Sequence, residues 1–180
     1  MSERVSLIAY DPEWPRRFDA ERALLESVLG RWLDGGIHHI GSTAIPGIAA
    51  KPIIDMLAGV RELEDARGAV DSLREHAYLV APHRAHEAHH FVKPSLAFPA
   101  YSVHLTQPGS DLWRERLAFR DALRSAPALA AEYEALKLRL AQEHGGDRVA
   151  YTRGKRAFVA RVLGDAGIEL RPRQNGTSSS

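Results

Sequence analysis

The sequence predicts an α/β domain in which one helix precedes a small sheet and a group of helices follows it. Three observations carry this. Apolar residues recur at helical spacing in the first thirty positions and again after Gly109. Between these regions, short apolar runs are separated by glycine and proline turns. The segment "AYSVHLTQ" alternates, with Tyr101, Val103 and Leu105 on one face and Ser102, His104 and Thr106 on the other. Such a strand has one face on a core and one on a polar site.

The elements follow in order. "DPEWPRRFDAERALLESVLGRWL" offers Asp11 as N-cap and Pro12 at the first helical position, and places Trp14, Phe18, Leu25 and Val28 near one face. Gly35 and Gly36 end that helix. "IHHI" and "KPIIDMLAGV" then form two short strands joined by "GSTAIPGIAA". Residues 61–76 are helical, a strand follows near Tyr78–Val80, and a histidine-rich stretch lies between Pro82 and Pro94. Three helices are expected after the alternating strand, at 110–125, 127–144 and 148–163. The middle one carries Leu129, Tyr133, Leu136 and Leu140 on its apolar face. Residues 1–165 thus make one domain, and the polar residues 166–180 a disordered tail.

Composition narrows the function classes. With 180 residues, 44% hydrophobic and 26% charged, the chain can bury a real core. A net charge of +1 gives no general attraction to polymeric nucleic acid or to an anionic membrane, so any preference for anions must be local. The lack of cysteine excludes disulfides, thiolate zinc sites and thiol catalysis. No signal-like segment opens the sequence and no apolar run reaches the roughly 18 residues of a membrane span. A cytoplasmic bacterial-type enzyme or binding domain is expected.

The first chemical constellation is Gly41, Ser42, Lys51 and Asp55. A glycine-serine pair leaving a strand lets backbone amides and a hydroxyl approach a phosphate. Asp55 follows Ser42 by 13 positions, inside the next strand. A lone carboxylate there needs a cation, a metal or hydrogen bonds. Lys51, at the start of that strand, is placed to neutralise a phosphate.

This arrangement resembles the nucleotidyltransferase superfamily of the polymerase-beta type, in which a Gly-Ser turn precedes a strand bearing metal-binding acids. More narrowly, "HHIGSTAIPGIAAKPIID", "YDPEWPRRF", "SVHLTQPGSDLWRERLAFRDALR" and "YTRGKRAFV" look like the GrpB family of small proteins, over nearly all of residues 7–163. The resemblance implies a small mixed, mainly antiparallel nucleotidyltransferase-type sheet. The superfamily pattern also calls for a second acid two residues after Asp55, where this chain has Leu57. The place that matches the third acid holds His104. If one divalent ion binds, its expected ligands are Asp55 and His104, a set better suited to a transition metal than to magnesium.

A second constellation is cationic. Lys155 falls within the face formed by Tyr151, Phe158, Val159 and Val162, and Arg116, Arg120 and Arg124 form an arc flanked by leucines and Trp113. Cations in such places need carboxylates, aromatic faces or an anionic ligand. Arg120 and Lys155, which also lie where the family resemblance is closest, are the preferred site residues. Each could instead extend past the apolar face or pair with Asp121, Glu115 or Glu134.

The third is His86-Glu87-Ala88-His89-His90, which fits the H-E-x-x-H pattern of zinc hydrolases. That chemistry needs a stable helix, and Pro82 and "FVKP" leave room for two turns at most. The segment is therefore taken as a solvated or pocket-rimming loop, with a metal-binding loop or the hydrolase as alternatives. His90 and Lys93 are its residues nearest a strand. His38 and His39 point to opposite faces, so at most one can look into the pocket.

The functional expectation is a nucleotidyltransferase-like protein acting on a small nucleotide-like, anionic ligand. Gly41 and Ser42 would seat phosphates, and Asp55, alone or with His104, would hold a metal. Lys51, Arg120 and Lys155 would offset developing charge. The alternative is a binding module that uses the same pocket without turnover.

Overall fold

The computed structural model describes residues 5–81 and 87–169. Helix α1, Trp14–Leu29, buries Trp14, Phe18, Glu21, Leu25 and Leu29 along one face. It starts later than Asp11 and Pro12 suggest. Asp11 instead accepts from the Glu13 amide at 2.9 Å in the turn that leads in, and a proline occupies the first helical turn. Gly35 and Gly36 do not end α1, which stops at Leu29. They lie inside strand β1, Leu33–Ile40, where the register with the neighbouring strand shifts between Leu33 and Ile37.

The sheet adds β2, Ile54–Val60; β3, Leu79–Val80; β4, His89–Lys93; and β5, Tyr101–Thr106, in the order β1-β2-β5-β4-β3. Only β2 and β5 run parallel; the other pairs are antiparallel. The sheet is therefore mixed and mainly antiparallel. The single helix expected at 61–76 is a 3-10 turn, Asp65–Gly68, followed by α2, Ala69–Glu75. Beyond the sheet come α3, Asp111–Ser125; α4, Pro127–His144; α5, Arg148–Gly154; and α6, Arg156–Asp165. Ser110 caps α3 and Asp147 caps α5 through side-chain oxygens. The continuous helix expected at 148–163 is thus interrupted at Lys155. Among the described residues no helix is long and apolar enough to cross a membrane. The tail predicted for 166–180 lies largely outside the described residues, which end at Glu169.

Strand alternation sorts the two faces of the sheet. Ile54, Met56, Ala58, Val103, Leu105 and Phe91 pack with α1 and α2 into the main core. The other face presents Asp55, Leu57, Ser102 and His104. A second cluster seats Ile45 and Ile48, from the β1–β2 connection, against Leu123, Tyr133, Phe158 and Val162. The connection that carries the Gly-Ser turn is therefore held by the C-terminal helices.

Lys93 belongs to the first face and not to a ligand pocket. Its Nζ lies 2.6 Å from Glu21 Oε1, to which the Tyr78 hydroxyl donates at 2.8 Å, and it sits over the rings of Tyr78 and Tyr101. This buried group ties β4 to α1. His39 is also on the α1 side, stacked on Phe18 with ring centroids 4.7 Å apart. Thr43 gives its one proton to the Ile53 carbonyl, so His39 Nε2 is the donor to Thr43 Oγ1 at 2.9 Å. Burial, helped by Arg124 and Arg120, lowers the His39 pKa to about 4.

At the end of β1, Ile40 pairs with Asp55, and Gly41 turns the chain at φ +73° into a short 3-10 turn, Ser42–Ala44. A Cβ at Gly41 would lie 2.6 Å from Asp55 Oδ2.

Three outcomes are expected. Lys93→Met should lower unfolding free energy by about 3 kcal/mol in urea titrations by stranding the Glu21 charge, and adding Glu21→Gln should restore most of it. Gly41→Ala should cost more than Gly47→Ala, because both positions have positive φ but a Cβ at Gly47 meets nothing within 4 Å. Between pH 6.5 and about 4 the unfolded chain takes up a proton that buried His39 refuses, so stability falls as pH falls. Melting curves of His39→Gln should show a shallower decline over that range.

Candidate functional site

On the second face of the sheet, Ser42, Lys51, Asp55, Lys137, Tyr151 and Lys155 line a hollow of about 110 Å³. Asp55 comes from β2, Ser42 from the turn after β1, Lys137 from α4, Tyr151 from α5, and Lys155 from the α5–α6 junction. Four residues nominated from sequence, Ser42, Lys51, Asp55 and Lys155, therefore meet in one place. Gly41 stands directly behind Asp55, and its missing side chain makes room for the carboxylate.

The electrostatics are dominated by cations. Burial pushes the Asp55 carboxyl above its ordinary value, opposed by a hydrogen bond from Ser102 and by the charges of Arg116, Lys155 and Lys51. Burial also lowers Lys155 to about 8, assisted by Lys51 and Arg116 and opposed by Asp55. Lys137, 1% exposed, is lowered to about 8 by burial and then by Lys155. The Tyr151 ring lies 4.9 Å from Lys51 Nζ and 4.6 Å from Lys155 Nζ, so its face partly offsets both ammonium groups. Tyr133, pushed up to about 12 by burial, shares a hydrogen bond with Ser42. Three lysines thus line a hollow with one lining carboxylate, on which Arg116 also acts, while Glu134 acts on Lys137.

Helix α4 fixes the floor of the hollow. The Ala49 amide donates to Glu134 Oε1 at 2.5 Å, and Lys137 Nζ donates to the Ala49 carbonyl. One residue of the β1–β2 connection, Ala49, is thus held at its amide and at its carbonyl by side chains one helical turn apart.

Arg120 is placed differently from the expectation. Its Nη1 donates to the His39 carbonyl at 3.2 Å, and it pairs with Asp121 at 2.7 Å. It lines a separate hollow of about 310 Å³ with Tyr10, His39 and Arg124. The cation of α3 that acts on Asp55 is Arg116, one turn earlier. Thr43 lines both hollows.

His104 does not join Asp55 either. Asp55 is in register with Ser102, while His104 faces Leu57, and the His104 ring stacks on His90 at 4.1 Å. Among the described residues no three His, Cys, Asp or Glu side chains are placed to share a metal ion. A single carboxylate beside several cations is a poor seat for a divalent cation.

The H-E-x-x-H helix does not form over its second half, because His89–Lys93 is the extended strand β4. His86 lies outside the described residues. His90 instead approaches the site through Ser102, with His90 Nε2 3.0 Å from Ser102 Oγ. Because Ser102 gives its proton to Asp55, His90 is the donor in that contact. Neither His38 nor His39 lines the Asp55 hollow.

Sequence reasoning missed Lys137, which was hidden among the polar residues of α4. The rule that singled out Lys155 would have found it. Lys137 lies four residues after Tyr133, within the apolar face of its helix.

Comparison with known proteins agrees with this architecture. The sequence profile described as "GrpB protein" matches residues 4–165. The glutamate-rich protein GrpB of Alkalihalophilus pseudofirmus is 34% identical over 89% of this chain and 95% of its own. A UPF0157 protein of Deinococcus radiodurans is 38% identical, covering 90% and 82%. The UPF0157 protein YqkA of Bacillus subtilis is 32% identical over 98% of this chain, which spans only 51% of YqkA. The crystal structure of GrpB from Enterococcus faecalis superposes with a TM-score of 0.82 at 31% identity, covering 89% of this chain and 96% of that one. The mixed sheet of this chain, with Asp55 on β2 after a Gly-Ser turn, is consistent with placement in the nucleotidyltransferase superfamily, and the chain belongs to the GrpB family.

Proposed function

We propose that the hollow around Asp55 binds the phosphate portion of a small nucleotide-like ligand. One observation carries this: Lys51, Lys137 and Lys155 line a hollow whose one lining carboxylate, Asp55, also feels the charge of Arg116. Two of these lysines are held in a protein environment that disfavours their charge, and an arriving phosphate relieves that penalty. Ser42 adds a hydroxyl at the mouth of the Gly41 turn. Asp55 restrains the cations before the ligand arrives, and Ser102 orients it.

Nucleotidyl transfer is the second reading, favoured by the Gly-Ser turn at the end of β1, beside Asp55 of the next strand. There Lys155 and Arg116 would offset charge on the departing pyrophosphate. Leu57, fully buried where a second acid is required, weighs toward binding without turnover.

Thermal-shift titrations with nucleoside triphosphates and with pyrophosphate, in the presence of chelator, separate the two readings. For binding alone, Lys155→Ala should weaken apparent affinity about tenfold or more. Asp55→Asn, which removes a negative charge, should keep or raise it. For transfer, pyrophosphate release should accompany turnover once divalent ions are restored, and Asp55→Asn should abolish it. Indifference of the melting temperature to all of these anions would refute the proposal.

The affinity should also fall between pH 7 and 9. Lys137 and Lys155 lose their protons near pH 8, removing charges that attract the phosphate. Titrations at fixed ionic strength across this range check the sign.

A further inference from the structure

The hollow around Asp55 is too small for a nucleoside. At about 110 Å³ it offers the volume of a few water molecules, at about 30 Å³ each, which suits phosphoryl groups. Lys51 and Ile53, however, line a second hollow of about 440 Å³ as well, within the range of small-ligand pockets. One lysine thus stands between a small, cation-rich chamber and a larger one.

The larger chamber has a different chemistry. Its walls include Pro52, Pro99 and Phe98, with Arg17 and Arg148 among them. Phe98 is 69% exposed, although the segment that carries it is anchored at both ends. The Phe98 amide donates to Ser95 Oγ at 2.9 Å, the Ala100 amide to the Lys93 carbonyl at 2.8 Å, and the Ile54 amide to the Ala100 carbonyl at 2.9 Å. A solvent-facing aromatic ring on an anchored segment, in a chamber that arginines also line, is a surface on which a nucleobase can stack. Arg17 keeps its guanidinium 5.4 Å from the Tyr101 ring, which leaves it at the wall of the chamber.

We propose that this second chamber is a nucleoside subsite: a ribonucleoside triphosphate lies across Lys51, with its phosphates toward Asp55 and its base stacked on Phe98. The assignment rests on the phosphate reading above and adds the ligand class. Base stacking tolerates all four bases, so the subsite selects for a nucleoside more than for one base.

Calorimetric titration of the full chain with each of four ribonucleoside triphosphates, and with inorganic tripolyphosphate, tests it. The tripolyphosphate has the same phosphate chain and more charge but no nucleoside. Binding of at least one nucleotide about tenfold tighter than tripolyphosphate is expected. Phe98→Ala should erase that advantage and leave tripolyphosphate affinity unchanged, whereas Lys51→Ala should weaken both. Phe98 is at the surface, so its variant should melt as the parent does. If tripolyphosphate binds at least as tightly as every nucleotide, or if Phe98→Ala leaves nucleotide affinity unaltered, the subsite is refuted while the phosphate reading stands. If no probe binds, both fall together.

Discussion

The Asp55 carboxylate is the point on which the arrangement turns. It is buried near the start of the interior strand β2, where an ionised acid is costly, and it is kept there by a hydroxyl from β5 and by cations from α3, the α5–α6 junction and the β1–β2 connection. Each group has its own reason to be unstable: the acid is desolvated, and Lys137 and Lys155 are desolvated and then repelled by neighbouring cations. Together they offset these penalties only in part. The surplus of positive charge gives the hollow its character.

Geometry around this acid is enforced by backbone as well as charge. Gly41 clears the space, and the clamp of Glu134 and Lys137 on the Ala49 peptide fixes the segment that follows. A buried lysine that is both a clamp and a wall of the site serves structure and electrostatics at once. Its removal would be felt in the fold before it was felt in binding.

Much of the fold was legible because it rests on local patterns: the apolar stripe of α1, the alternation of β5, and the helical spacing of apolar residues along α4. Strand β4 was not, because "HHFVK" is rich in residues whose usual roles are chemical; its pairing with β5 is a tertiary contact with no local mark. At the site, Ser42, Lys51, Asp55 and Lys155 were visible as polar groups in apolar settings. Arg120 was preferred over Arg116 for lying where the family resemblance is closest, and a helical wheel, which keeps angle and discards height, does not separate the two. The two are nearly aligned around α3 yet about 6 Å apart along it. His104 was drawn to Asp55 by the pattern of a larger superfamily, but strand register brings Ser102 to that acid instead.

Thr43 has one hydroxyl committed on both sides, accepting from His39 and donating to the Ile53 carbonyl, and it borders both the Asp55 and the Arg120 hollows. Thr43 is therefore a wall that the two chambers share. Any tilt of that residue enlarges one room by shrinking its neighbour, so the two spaces cannot be reshaped independently.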